Sequence, residues 1–346
     1  MRWIQEATAK AGHWLRKWSS VLHPASCAGR VLSILVTAAI LGLLAWRLVV
    51  DWRNLPPGFF SKVRLDLLLA SVAALVPALL LVSLRWGLTL RTMKVPIGWW
   101  TSVRIWFLSQ AGRYLPGGVW SYVGRFYLSR AEMTKEAIFG SIVLETGLRV
   151  VSEVLIFVLS LFFWTDTGFI SSRMLLLVIS GVAGGLLLLH PAVLERLSKT
   201  SLLRRAGLGP IDVPVRYRTI LVLLLPYYLL TVVVVGVAFH LLVAALYPVP
   251  VRLLPALTGS FAAAVVLGFL VPVTPNGWGV REGVLTFLLS QAVPSSVAIV
   301  IAVVARIWLG VGEAMWILIA MYSEWRRSKP GKAGNNPKGL LTGRAE

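Results

Sequence analysis

Charged residues are scarce in this sequence, and residue types that support many common chemistries are nearly absent. Asp, Glu, Lys and Arg make up 14% of the 346 residues, whereas soluble domains are closer to a quarter charged. The single cysteine, Cys27, excludes a disulfide framework and a cysteine-ligated metal site. The four histidines are scattered without zinc-ligand spacing. We therefore expect no metal and no cofactor.

Motifs of ATP-driven and hydrolytic enzymes are also missing. The chain has no G-x-x-x-x-G-K-[ST] phosphate loop, no H-E-x-x-H and no G-x-S-x-G. It also lacks an Asp-x-Asp cluster of the kind that holds a metal-bound sugar nucleotide. These absences argue against an ATP motor in this chain, and they favour a protein that is not an enzyme.

The sequence is instead apolar and basic. It is 57% hydrophobic, its mean hydropathy is +0.79 and its formal net charge is +20. The basic residues occur in blocks between long apolar runs, which is typical of membrane topology rather than of a nucleic-acid groove. Basic loops beside an anionic leaflet explain the charge. We expect the bilayer to be a partner and nucleic acid not to be one.

Six apolar runs are interpreted as full spans, each of which requires about 20 residues. They are 31–50, 65–84, 137–164, 174–190, 219–246 and 297–322. The long connections are rich in Lys and Arg, so the positive-inside rule places them and both termini in the cytoplasm. These connections are 85–136, 190–218 and 322–346. The prediction is an all-α, multi-pass protein of the plasma (inner) membrane.

The chain divides into three parts by composition. Residues 1–30 are basic and contain three tryptophans, which is typical of an interfacial helix or of a disordered basic tail. Residues 31–322 form the transmembrane domain. Residues 323–346 are rich in Gly, Pro and Lys without a period, and we expect them to be disordered.

Two segments interrupt the apolar pattern with helix-breaking residues beside arginines. Leu-Pro-Gly-Gly lies between Arg113 and Arg125, and PVTPNGWGVREG occupies 272–283. Non-helical backbone at membrane depth needs protein or water around it, because lipid satisfies no N–H or C=O group. The apolar run 253–271 leads into the second break and is not counted as a span. With both termini inside, the breaks become two re-entrant hairpins of opposite orientation in an inverted repeat.

Ionisable residues also lie within the predicted spans, where they are costly and often functional. Glu145, Arg149 and Glu153 are spaced by four, so each acid can pair with the arginine on one helix face. Arg306 and Glu313 also share a face. One interpretation is a polar cavity whose arginines bind a phosphate. The alternative is a set of structural ion pairs that fix helix packing.

The candidate substrate-binding residues come from both breaks and from the charged spans. They are Arg113, Pro116, Gly117, Gly118, Arg125, Glu145, Arg149, Glu153, Pro275, Asn276, Gly277, Gly279, Arg281, Glu282, Arg306 and Glu313. No catalytic residue and no metal ligand is assigned.

The elements RYLPGGVWSYVGR, LETGLRVVSE and PVTPNGWGVREG, followed by Arg306, resemble the flippase-like integral membrane family. That family is also named for the transmembrane region of lysylphosphatidylglycerol synthase. The resemblance runs from about the first span to the last and implies movement of a lipid between leaflets. Asn276 stands where the family commonly has a second glycine. The full synthase also has a soluble aminoacyl-transferase domain, which this chain lacks, so we expect no synthesis of the lysyl lipid.

The sequence thus favours a lipid translocase that acts on a phospholipid or lipid-linked head group with an anionic or phosphate-bearing character. An alternative is a membrane-embedded transferase that acts on a lipid-linked sugar, with Glu145, Glu153 or Glu282 as general base. A third is an accessory subunit that scaffolds a partner lipid-modifying enzyme. A homo-oligomer is also compatible with the sequence.

Overall fold

The computed structural model describes residues 58–114, 120–164, 172–188, 215–271 and 277–328, together with the isolated positions 42, 46, 190, 192, 193 and 196. These residues contain helices and no β-strand, which confirms the all-α prediction for the part described. The helices are α1 (Leu65–Thr92), α2 (Trp99–Gln110), α3 (Trp120–Ser129), α4 (Lys135–Ser160), α5 (Ser172–Leu188), α6 (Tyr217–Leu246), α7 (Leu254–Leu270), α8 (Val280–Leu289) and α9 (Ser295–Ser328).

Four of the described helices are long and apolar enough to cross a membrane: α1, α6, α9, and α7 together with the turn before it (Val251–Leu270). Helix α4 is also long, but its glutamates and arginine interrupt the apolar run. The sequence analysis predicted six spans and did not count 253–271 among them. Since α7 is itself long and apolar enough to cross a membrane, that count stays a prediction. The predicted segment 1–30 lies outside the described residues, and so does the first span 31–50 except for positions 42 and 46. Helix α9 continues past the predicted boundary at 322, and residues 329–346 are not described.

Helix α1 packs lengthwise against α6, and this is the most extensive contact between described helices. Pro77 interrupts the hydrogen-bond ladder of α1. Neighbouring helices bind backbone carbonyls on both sides of it: the Trp316 indole donates to Val76 O at 2.8 Å, and the Tyr227 hydroxyl donates to Leu81 O at 2.9 Å. In a membrane such partners hold a proline-containing helix in place.

Each predicted break separates two helices that fold back on each other. Helix α2 ends at Gln110, a 3₁₀ turn follows over Ala111–Tyr114, and α3 packs against α2. Helix α7 ends at Leu270, and α8 packs against it in the same way. We call these the first and second hairpin. Their tips, which include the predicted site residues Pro116, Gly117, Gly118, Pro275 and Asn276, lie outside the described residues.

Glycine is required where the two legs of each hairpin approach most closely. A Cβ on Gly112 would lie 2.7 Å from the Trp120 carbonyl oxygen. A Cβ on Gly277 would lie 2.5 Å from the Gly268 carbonyl oxygen, and Gly277 has a φ of +67°. At such a positive φ a residue with a side chain is strained, whereas glycine is not. Glycine at these two positions therefore allows the two legs of each hairpin to come into backbone contact.

The described helices other than α5 form two sets, α1–α4 and α6–α9, and each hairpin packs partly against the other set. Helix α2 of the first hairpin packs against α9, whereas α7 of the second hairpin packs against α4. Each hairpin therefore contacts the long helix that follows the other hairpin in sequence. A cavity lies where these elements meet.

Candidate functional site

The cavity has a volume of about 380 Å³ and is lined by described helices from both sets. Most of its wall is apolar, but eight charged side chains face it. They are Arg85, Arg113, Arg125, Arg149, Arg281, Glu145, Glu153 and Glu313. Gly277 lines it as well. Among the described residues, no cluster of three or more His, Cys, Asp or Glu side chains is placed to hold a metal ion.

Arg125 of the first hairpin forms a buried ion pair with Glu145 of α4. The two side chains are only 3% and 9% exposed, and Arg125 Nη1 pairs with Glu145 Oε2. The other carboxylate oxygen accepts a hydrogen bond from Trp106 Nε1 at 3.0 Å. The Arg125 guanidinium also lies over the Trp86 ring at 5.1 Å. The sequence predicted a pair between Glu145 and Arg149, so this part of the prediction was wrong: the partner comes from another helix.

Arg113 joins the first hairpin to α9. Its Nη1 lies 2.8 Å from Glu313 Oε1. Arg113 belongs to the 3₁₀ turn that follows α2, so the ion pair connects this end of α2 to α9. This contact crosses between the two sets of helices.

Glu153 and Arg149 lie four residues apart on α4, as the spacing predicted. Arg149 Nε lies 3.9 Å from Glu153 Oε1, and the guanidinium lies over the Phe269 ring at 4.4 Å. Glu153 Oε2 is buried without a hydrogen-bond partner in the described structure. Glu153 is also within electrostatic reach of four guanidinium groups, those of Arg149, Arg85, Arg281 and Arg113. Glu153 therefore lies among several guanidinium groups of the cavity.

Glu282 and Arg306 lie beside the main cavity rather than in its lining. They face a small neighbouring pocket between α8 and α9, where Arg306 Nε is 3.5 Å from Glu282 Oε1. The other Glu282 oxygen accepts a hydrogen bond from the Gly279 amide at 2.5 Å. Gly279 adopts a φ of +84° at the start of α8, so Glu282 caps this helix. In this arrangement the three residues attach α8 to α9.

Arg85 lines the cavity but was not among the predicted site residues. Its Nε donates to Thr231 Oγ1 at 2.5 Å, and its Nη2 donates to the Tyr228 carbonyl at 3.2 Å. The sequence interpretation ended this span at residue 84 and assigned Arg85 to a basic connection. The signal that it missed is the apolar pair Trp86 and Leu90, which continues the helical period; both are fully buried.

Gln110 and Tyr122 also face the cavity from the first hairpin. Gln110 is 2% exposed, and its side-chain oxygen has no hydrogen-bond partner among the residues described. Both neighbour the break that the sequence singled out. They add neutral polar side chains to a site for which the sequence analysis had selected mainly charged ones.

A protein-family model described as the lysylphosphatidylglycerol synthase TM region matches residues 30–310. No curated protein and no solved structure matches the chain significantly. The matched region contains both hairpins and all the charged cavity residues except Glu313. Together with the apolar helices, the match shows a multi-pass membrane protein related to lipid handling. The chain therefore belongs to the lysylphosphatidylglycerol synthase transmembrane-region family.

Proposed function

We propose that this protein is a lipid translocase that moves the head group of a phospholipid or lipid-linked molecule through the cavity. The observation that carries the proposal is the group of eight charged side chains around one cavity in an apolar helical bundle. Each such residue costs about 2.5–3.5 kcal/mol at the centre of a membrane helix on insertion scales. A polar ligand that passes through the bundle would explain why these charged residues are present.

In the proposed path, the head group enters the cavity while its acyl chains stay in the bilayer. A phosphate accepts bidentate hydrogen bonds from guanidinium groups, and it can replace a glutamate as the partner of an arginine. Each ion pair of the cavity has its acid on a long helix, whereas Arg113 and Arg125 come from the first hairpin. Exchange of partners would therefore couple substrate binding to the position of that hairpin.

The packing of the helices suggests how the cavity could open to either side. We propose that α1–α4 and α6–α9 are inverted repeats, with re-entrant hairpins that enter from opposite faces and both termini in the cytoplasm. The support is the reciprocal packing of α2 on α9 and of α7 on α4, and the pairing of α1 with α6. Rocking of one repeat against the other would expose a fixed site alternately. Without an ATP motif, the transfer is driven by a gradient or equilibrates the leaflets.

The proposal is tested with purified protein in vesicles that contain a head-group-labelled fluorescent lipid. An external quencher should reach the label of both leaflets when the protein is present, and only the outer leaflet in protein-free vesicles. Arg149→Gln should slow this exchange about tenfold or more, as expected for the loss of a hydrogen bond to a charged group. The matched control is Arg252→Gln, which removes the same charge from an exposed position outside the cavity. If labelled lipids of every head-group class stay in their leaflet, the proposal fails.

The transferase alternative depends on Glu153. Both carboxylate oxygens of Glu145 are engaged by neighbouring groups, and Glu282 does not line the main cavity. Glu153 lines the cavity and keeps one oxygen without a hydrogen-bond partner in the described part. Incubation with a lipid-linked sugar should yield a new product if Glu153 acts as a general base, and Glu153→Gln should abolish it. Translocation without any product favours the translocase.

A further inference from the structure

We infer that the cavity selects a lipid whose phosphate carries two negative charges, as in a phosphomonoester or a diphosphate. This inference rests on the proposed translocase function and deepens it. Its starting point is the charge of the lining: with all groups ionised, five arginines face three glutamates among the described residues, which leaves an excess of two positive charges in that part of the lining.

The undescribed hairpin tips do not change this charge. Residues 115–119 read LPGGV and residues 272–276 read PVTPN, and neither segment contains an ionisable side chain. The charged groups that the hairpins supply to the cavity are therefore already counted.

The excess charge belongs to two particular arginines. Arg113, Arg125 and Arg149 each lie within 4.0 Å of a glutamate oxygen, in the ion pairs described above. Arg85 is held by a hydroxyl and a backbone carbonyl, both neutral. Arg281 lies over the Phe261 ring at 4.9 Å. Within the described residues, neither Arg85 nor Arg281 has a carboxylate within ion-pair distance.

These two arginines come from opposite sets of helices but act on one region. Arg85 belongs to α1 and Arg281 to α8, and both lie within electrostatic reach of the Glu153 carboxylate. Both also line the one cavity, so a phosphate bound between these two arginines would face guanidinium groups from both sets. Arginine suits this role because its planar group stays charged and donates bidentate hydrogen bonds.

The number of charges on the ligand decides how well it fits. A zwitterionic head group leaves both excess charges uncompensated, and a phosphodiester with one negative charge neutralises only one. A doubly charged phosphate neutralises both, and charge compensation is worth more in a low-dielectric cavity than in water. We therefore expect affinity to follow ligand charge in the order two, one, zero.

The test measures binding of soluble short-chain lipids to the detergent-purified full chain by calorimetry at pH 8. The probes are dihexanoyl phosphatidic acid, dihexanoyl phosphatidylglycerol, dihexanoyl phosphatidylcholine and inorganic phosphate. Phosphatidic acid should bind about tenfold or more tightly than phosphatidylglycerol, in line with one further charge-assisted interaction. Arg281→Gln and Arg85→Gln should each remove most of this preference, and the exposed-site control Arg252→Gln should retain it.

Equal affinity for the three lipids in the wild-type protein overturns the inference without any need for a variant. Inorganic phosphate that binds as tightly as phosphatidic acid also overturns it, because the site would then recognise a free ion. The vesicle assay separates this inference from the translocase proposal. Exchange of all head groups at one rate supports the translocase and contradicts charge selection, whereas selective binding without exchange supports charge selection and contradicts the translocase.

Discussion

The buried pair Arg125–Glu145 allows a quantitative test of how the first hairpin is attached. We expect Glu145→Gln to destabilise the protein by about 3–5 kcal/mol, which is typical when one partner of a buried ion pair is removed. Glutamine keeps the shape of the side chain and an oxygen that can accept from Trp106. The substitution therefore removes little besides the charge, and Arg125, which is only 3% exposed, is left uncompensated.

The expected change is large enough for thermal unfolding in detergent, followed by tryptophan fluorescence. At about 2 °C per kcal/mol, the lower end of the range for large domains, the apparent Tm should fall by about 6–10 °C. All variants are heated at one scan rate, because irreversible unfolding makes Tm depend on that rate. The matched control is Asp66→Asn. Asp66 pairs with Arg64, and the two side chains are 63% and 62% exposed, so its loss should have little effect on stability.

The double variant Arg125→Gln/Glu145→Gln completes the test. With both charges removed, no buried charge is left alone, and most of the stability lost in the single variant should return. The reasoning is refuted if Glu145→Gln unfolds within about 2 °C of Asp66→Asn and if the double variant shows no recovery. In that case the pair would not attach α3 to α4.

Two further predictions concern the backbone and the topology. Gly277→Ala should lower the Tm by several degrees, because Gly277 has a positive φ and the new Cβ meets the Gly268 carbonyl. The control Gly181→Ala should be neutral, because a Cβ there meets nothing within 4 Å; equal effects of the two substitutions would contradict the close approach at Gly277. In a Cys27→Ser background, Pro248→Cys should react with an impermeant thiol reagent from outside and Arg196→Cys only from inside, since the two positions fall in connections predicted on opposite sides of the membrane. The reverse pattern would overturn the predicted orientation.

The sequence located the two breaks well because proline and glycine act locally. A proline lacks the backbone N–H that continues a helix, and its ring clashes with the preceding turn. In agreement with this, α2 ends at Gln110 before the first break and α7 ends at Leu270 before the second. The family was also identified from these breaks and from the charged span. Whether the hairpins are re-entrant was beyond the sequence, because local breaks do not report membrane depth.

The partners of the buried charges were predictable only within one helix. Arg149 and Glu153 are neighbours because residues four apart share a face. Tertiary packing determines the partners of Glu145 and Glu313, which are Arg125 and Arg113 from the first hairpin. Sequence periodicity contains no information about such contacts between helices.

Arg85 shows a different limit. A hydropathy window ends a span at the first charged residue, although α1 continues to Thr92. The arginine is tolerated inside the bundle because Thr231 and the Tyr228 carbonyl accept its hydrogen bonds. These acceptors come from a helix more than 140 positions later in the chain, so only the fold reveals that Arg85 belongs to the cavity.

The most direct test asks whether a lipid head group passes through this cavity. Thr146 lines it, so Thr146→Cys in the Cys27→Ser background can be modified with a bulky thiol reagent after reconstitution into vesicles. Pro248→Cys, which is exposed on a connection, serves as the control. We expect complete modification of the cavity cysteine to stop the exchange of labelled lipid between leaflets, while modification of the control leaves it unchanged. Undiminished exchange with the cavity cysteine fully modified would show that lipids cross by another route.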